Sequence, residues 1–253
     1  DVLFQNLTFI VIDEQHRFGV NQREALLAKG HFPDLLVMSA TPIPRSLAMT
    51  LYGDLTPIVL GEKPAGRKPV KTRLVSPEKR EDMKKFLFRE VQNGNRCYWV
   101  VSRVELDEDG AAKSAAEVAE ELSGFSSKWK VGMIHGQMDE TERDGILGEF
   151  VRGNLQMLVA TTVIEVGVNV PEANLMVIEN PDRFGLAQLH QLRGRVGRGD
   201  KEAWCFLLVS EKNPAHERLA RFASTEDGFE IAEMDMQERG AGNLEGSEQS
   251  GAW

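Results

Sequence analysis

No Gly-x-x-x-x-Gly-Lys-Ser/Thr segment occurs anywhere in the sequence, so the chain carries no P-loop to wrap the β- and γ-phosphates of a nucleotide. Long apolar runs are missing too: none approaches the roughly 20 residues that cross a bilayer, and no membrane partner is expected. Neither an initiator Met nor a signal peptide opens the chain, which reads as a cut edge of a longer protein. Cysteine is scarce, with only Cys97 and Cys205 and no paired spacing, which argues against a disulfide framework or a thiolate metal site. Each cysteine sits in an apolar run, so both are expected as buried reduced thiols in strands, and with them a cytoplasmic location. Positive charge is in deficit, 30 Lys and Arg against 39 Asp and Glu, for a net −9. That field disfavours nucleic acid as a partner, but a cleft that grips phosphates needs only local cations and backbone N–H groups.

What is present is ordinary for a folded protein: 42% hydrophobic and 27% charged residues, enough for one large core or two modest ones. Short apolar runs at Phe9 to Ile12, Leu35 to Met38, Tyr98 to Val101, Val131 to Ile134, Met157 to Ala160, Leu175 to Ile178 and Phe206 to Val209 read as fully buried strands of a parallel sheet. Helical patterns lie between them. Ser76-Pro77 offers an N-cap before the stripe Met83, Phe86, Leu87 and Val91, with Gly94 as the stop. Ala115, Val118, Ala119 and Leu122 form a second stripe, and Asp139 with Glu142 resembles a capping box ahead of Ile146, Leu147 and Phe150. The alternation indicates an α/β fold. Gly61 to Pro69 is the best linker, the tail beyond Glu211 is polar with a helical pattern, and no internal repeat is visible.

Several strand ends carry chemistry. Asp13-Glu14 follow directly on the first strand, where α/β folds place ligands. In a nucleotide site the first carboxylate holds Mg²⁺ through water, and the second orients or deprotonates the attacking water. A solvated acidic pair is the bland alternative, and it would win without Gln15-His16 and a distant arginine element. Ser39-Ala40-Thr41 ends the next strand, where hydroxyls can sense the nucleotide or merely cap a helix. Thr161-Thr162 and the stretch through Gly167, Asn169 and Pro171 follow another buried strand, where hydroxyls and N–H groups suit phosphate oxygens or a capped turn. The sharpest signal is Gln191-Leu192-Arg193-Gly194-Arg195-Val196-Gly197-Arg198. Three arginines in six residues, separated by glycines, are hard to justify by packing and match phosphate geometry. His135 reads equally well as a structural histidine. Gly240 to Gly246 lacks the βαβ context of a dinucleotide loop, and that reading is rejected.

Taken together these residues resemble superfamily 2 helicases from motif II through motif VI. Asp13 to Val20, Ser39 to Arg45, Leu51 to Leu55 and Phe184 to Gly199 are similar, nearly end to end, to the RecG family of bacterial ATP-dependent DNA helicases. The Mfd transcription–repair coupling family shares the Pro-Ile-Pro-Arg step and the motif VI block, but Gln15-His16 and Tyr52-Gly53-Asp54 favour RecG. The resemblance implies RecA-like parallel-sheet domains, ATP and Mg²⁺ as cofactors, and branched double-stranded DNA as partner, at stalled forks and Holliday junctions. It also implies a monomer, with a single-stranded DNA-binding protein as a further partner. It divides the chain into the end of a first RecA-like domain (1–62), a linker (63–71), a second RecA-like domain (72–210) and a helical translocation hairpin (211–253). Asp13, Glu14, Arg195 and Arg198 would be catalytic. His16, Gly167, Asn169 and Gln191 would line the nucleotide with them, while Ser39, Thr41, Thr161, Thr162, Arg239 and Gln249 would contact or couple to DNA. Asn169 stands where the family usually has Asp, Ala241 replaces a usual Pro, and Glu248 reverses the charge of a usual Arg. A non-hydrolysing DNA-binding remnant is the reading from another class.

Overall fold

The computed structural model describes residues 2–13, 20–39, 55–56, 58–60, 68–102, 115–125, 129–136, 138–161, 170–210 and 216–239. It divides into two compact units, Thr56–Ile231 and Asp1–Leu55 with Ala232–Trp253. In the smaller unit, β1 (Phe9–Ile12) and β2 (Asp34–Val37) pair in parallel, with α1 (Val20–Leu27) between them in sequence. These strands were expected to be buried on both faces. Only Ile10 and Ile12 of β1 are buried, whereas Phe9 is 54% and Val11 50% exposed, so the outer face of β1 is apolar without being covered by a described residue, and in β2 Asp34 and Leu36 are exposed. A continuous apolar run does not by itself say how many layers cover it.

The larger unit is built on a six-stranded sheet whose pairings are all parallel. Its strands are β3 (Val70–Val75), β4 (Arg96–Val100), β5 (Val131–Ile134), β6 (Met157–Ala160), β7 (Ala173–Glu179) and β8 (Ala203–Leu208), in the order β3-β8-β7-β4-β6-β5. Five of the six strands coincide with apolar runs of the sequence. The edge strand β3, Val-Lys-Thr-Arg-Leu-Val, does not, because an edge position lets Lys71 and Arg73 face water and breaks the run.

The helices are α2 (Arg80–Gln92), α3 (Ala115–Phe125), α4 (Glu140–Arg152), α5 (Leu186–Arg193), α6 (His216–Ser224) and α7 (Gly228–Arg239). Alternation along the central strand sorts them. Cys97 and Trp99 of β4 face a core made with Met83, Leu87 and Val91 of α2 and Val118 and Leu122 of α3. Tyr98, pointing the other way, meets Phe150 of α4 with ring centroids 4.9 Å apart.

Local signals set the helix ends. Asp139 accepts from Thr141 N at 2.7 Å and Glu142 N at 3.4 Å, capping α4 as its spacing suggested. Gly94 and Gly153 take the left-handed conformation, with φ of 81° and 84°, at the ends of α2 and α4. Ser76 departs from expectation. Its hydroxyl donates to the Glu78 carboxylate at 2.6 Å instead of accepting from the helix, and a 3-10 turn at Pro77–Lys79 stands before α2.

Both cysteines are fully buried and free. Burial pushes the Cys97 thiol far up and the Cys205 thiol to about 12, the latter against a smaller downward pull from Arg193. The unfolded chain therefore gives up thiol protons before the native one does, so this contribution to stability is whole below the ordinary thiol value of 9.0 and is lost as pH climbs toward 12. Two outcomes follow. An aromatic disulfide reagent at mildly alkaline pH should leave both thiols untouched in the native protein and titrate both in urea. Asp139→Ala should lower stability by about 1 kcal/mol in urea unfolding, with the slope of the transition unchanged.

Candidate functional site

The smaller unit brings two of the expected residues to one edge. Asp13 follows β1 directly, and Met38 N donates to Ile12 O at 2.7 Å, so Ser39 lies just past the end of the neighbouring parallel strand. Both residues are exposed. Glu14, His16 and Thr41 lie outside the described residues.

In the larger unit the arginine element starts on α5, which Leu186, Leu189 and Leu192 fix against the core. Arg193 was counted with the phosphate ligands, and the structure corrects this. Its side chain is 3% exposed, donates to Phe222 O at 3.1 Å and Thr72 Oγ1 at 3.4 Å, and lies 4.2 Å from the centroid of the Phe222 ring. Burial lowers its pKa while Cys205 and Glu226 act the other way. Arg193 is a packing residue, able to pin α5 to β3 and α6 because a guanidinium bonds several acceptors at once.

The following turn is pressed onto the amino edge of the sheet. Gly197 has φ of 71°, and a Cβ there would meet Ala203 Cβ at 3.0 Å and Val70 Cγ2 at 3.2 Å, next to the starts of β8 and β3. A Cβ on Gly199 would lie 3.0 Å from Pro171 O, just before β7. On this seat Arg198 is exposed, with its Nε donating to Gly194 O at 3.3 Å, and Arg195 and Gln191 are half-buried.

Two residues that the sequence reading passed over belong to this edge. Arg96 donates to both Phe150 O and Val151 O at 2.9 Å, satisfying the last carbonyls of α4. Tyr98, two residues on and 3% exposed, lies in the field of Arg195, Arg198 and Arg96. Burial raises its phenol while these guanidiniums lower it, and the balance stands at about 12. The only signal was an arginine and a tyrosine at alternate positions beside an apolar run.

Thr161 sits at the opposite edge. It follows β6, and its N–H donates to Ile134 O at 3.2 Å. Ser102 follows β4 at the same carboxyl edge, 6% exposed and with its hydroxyl unpartnered among the described residues; His135 follows β5. Parallel pairing thus separates the hydroxyl rim from the arginine turn. Thr162, Gly167, Asn169, Gln249, Ala241 and Glu248 lie outside the described residues, as do Gly61 to Arg67 of the linker and Gly240 to Gly246. Arg239 closes α7, and its side chain lies outside them as well.

Residues 78–200 match the family described as helicase conserved C-terminal domain, and residues 225–253 match ATP-dependent DNA helicase RecG, domain 3, C-terminal. The ATP-dependent DNA helicase RecG of Thermotoga maritima is 51% identical over 99% of this chain and 32% of its own length. That of Escherichia coli is 46% identical over 99% of this chain and 37% of its own. The chain therefore spans about a third of the length of the curated relatives it matches. A solved structure of RecG bound to a three-way DNA junction superimposes with a TM-score of 0.78 at 49% identity, covering 96% of this chain and 31% of that one. A leucine-to-valine variant of S. cerevisiae Dbp5, solved with RNA and ADP BeF3, shares the fold at a TM-score of 0.58 and 18% identity, covering 95% of this chain and 64% of that one. Along almost its whole length the chain is similar to ATP-dependent DNA helicase RecG sequences, at 44–51% identity.

Proposed function

We propose that this chain is the motor part of an ATP-dependent translocase that remodels branched double-stranded DNA, such as stalled forks and Holliday junctions, in recombination and repair. The observation that carries the reading is the arginine turn: Arg193 is spent on packing, while Arg198 is exposed and Arg195 half-buried on a rigid seat of glycine contacts. The relative whose structure contains a three-way DNA junction supplies the substrate class. In this reading residues 1–62 end a first RecA-like domain, 63–71 link it to a second at 72–210, and 211–253 form the translocation hairpin.

Arg195 and Arg198 neutralise charge that develops on the γ-phosphate, with Gln191 beside them. Glu14 orients the attacking water and takes its proton. His16, Gly167 and Asn169 contribute to the nucleotide pocket. No cluster of three or more His, Cys, Asp or Glu that could hold a metal exists among the described residues. Mg²⁺ needs less, since one or two carboxylates, water and substrate phosphates suffice. Asp13 at a parallel-strand end fits that role, and the bound ion would supply charge neutralisation at the phosphates. At the carboxyl edge Thr161 and Thr162, with Ser39 and Thr41 in the other unit, hold DNA phosphates, and Arg239 and Gln249 couple that grip to movement.

In the full-length protein, Arg195→Ala or Arg198→Ala should lower the kcat of DNA-stimulated ATP hydrolysis by roughly 10³-fold or more while leaving nucleotide-free binding to a DNA junction near normal. Glu14→Gln should abolish hydrolysis, and unaltered ATPase in that variant would sink the catalytic assignment. Arg193→Ala should instead lower the melting temperature. The 253-residue chain should not hydrolyse ATP by itself, because the sequence holds no phosphate cradle. Joining it to an upstream segment that carries one should restore junction-dependent hydrolysis in a phosphate-release assay.

A further inference from the structure

The chain leaves the neighbouring strands β4 and β7 in opposite directions. β4 leads through α3 to β5 at one edge of the sheet, and β7 leads through α5 to β8 toward the other. Such a switch point opens a crevice outside the carboxyl ends of the two strands. Here the crevice is filled by charge. Glu179, the last residue of β7 and 5% exposed, accepts from Arg80 Nη2 at 2.7 Å and from Trp99 Nε1 at 3.0 Å. Arg80 opens α2, lies 5.5 Å from the centroid of the Trp99 ring, and also reaches Glu121 of α3 at 3.3 Å. Glu121 binds the buried Lys84 at 2.5 Å. One carboxylate and one guanidinium thus join β4, β7, α2 and α3. Burial alone would draw the Arg80 pKa down, but Glu179 and Glu121 outweigh it and the net shift is upward.

An ion pair with a buried carboxylate and a half-buried guanidinium is an expensive way to fill a crevice, and apolar residues of similar volume generally serve stability as well or better. Its location suggests another use. The residue after Glu179 is Asn180, held at φ of 49°, followed by the turn Pro181–Arg183 and then by α5, which delivers the arginine turn to the amino edge. Three residues beyond Trp99 is Ser102 on the hydroxyl rim, with Thr161 at the end of the strand next to it. The pair sits where the rim and the launch point of α5 meet.

We propose that Glu179 and Arg80 are positioning residues that couple DNA held at the carboxyl edge to the arginine turn, so that DNA accelerates ATP hydrolysis. This rests on the function proposed above. Neither residue touches nucleotide or DNA in it; they fix the geometry of elements that do.

The test uses the full-length protein, with ATPase measured with and without a three-way DNA junction and thermal unfolding measured alongside. Three variants serve: Glu179→Gln, Arg80→Lys, and the apolar double replacement Glu179→Leu with Arg80→Met. Lysine keeps the charge of Arg80 but lacks the planar guanidinium that lies by the Trp99 ring while its Nη2 reaches two carboxylates. All three should keep the unstimulated rate and lose roughly tenfold of the stimulation by DNA, and the apolar double variant should melt at or above the parent temperature. Stimulation retained by Arg80→Lys and by the double variant overturns the inference. A double variant that melts well below the parent overturns it too, since the pair would then serve the fold itself. A parent protein whose ATPase ignores DNA would overturn the proposed function instead.

Discussion

Parallel pairing is the constraint on which the rest of this molecule depends. Two neighbouring parallel strands cannot be joined by a tight turn, so the chain must cross back from the carboxyl edge to the amino edge after each one. Strand ends therefore collect at one edge and helix ends at the other. Thr161, Ser102 and His135 follow strands and share the first. The arginine turn follows a helix and shares the second with the starts of β3, β7 and β8. Two groups of polar side chains are thereby held apart by the length of a strand.

Much of the architecture was legible because its signals are local. Asp139 caps α4 with its own side chain, Gly94 and Gly153 end helices in the conformation glycine tolerates best, and four-residue apolar runs gave β5 and β6 without error at either end. What escaped was set by neighbours distant in sequence. β3 is a strand because β8 pairs with it along its whole length, and its own Lys71-Thr72-Arg73 says little. Ser76 looked like a cap until Glu78 took its hydroxyl. Phe9 and Val11 looked like core, yet a strand's outer face is buried only if something lies on it. The choice of RecG over Mfd, made on Gln15-His16 and Tyr52-Gly53-Asp54, agrees with the match of residues 225–253 to a RecG family description.

The arginine element shows the limit most sharply. Three guanidiniums in six residues are chemically identical in the sequence, and the fold gives them unlike surroundings. Arg193 meets a carbonyl, a hydroxyl and an aromatic face, and is consumed by them. Arg198 remains at the surface. The distinction arises because position 193 is the last residue of a helix whose leucines face the core, whereas the glycines that follow turn the chain outward. A net charge of −9 conceals this arrangement, since what a phosphate meets is the local turn and not the sum over the surface.

The two thiols bring the molecule within reach of spectroscopy. Cys97 and Cys205 are the only cysteines in the sequence, and both stand in the interior of the sheet with their reactivity suppressed by burial. A cysteine introduced at the surface of each unit would then be the sole target for a maleimide dye, with no native residue removed beforehand. A pair of such dyes would report the distance between the units, molecule by molecule.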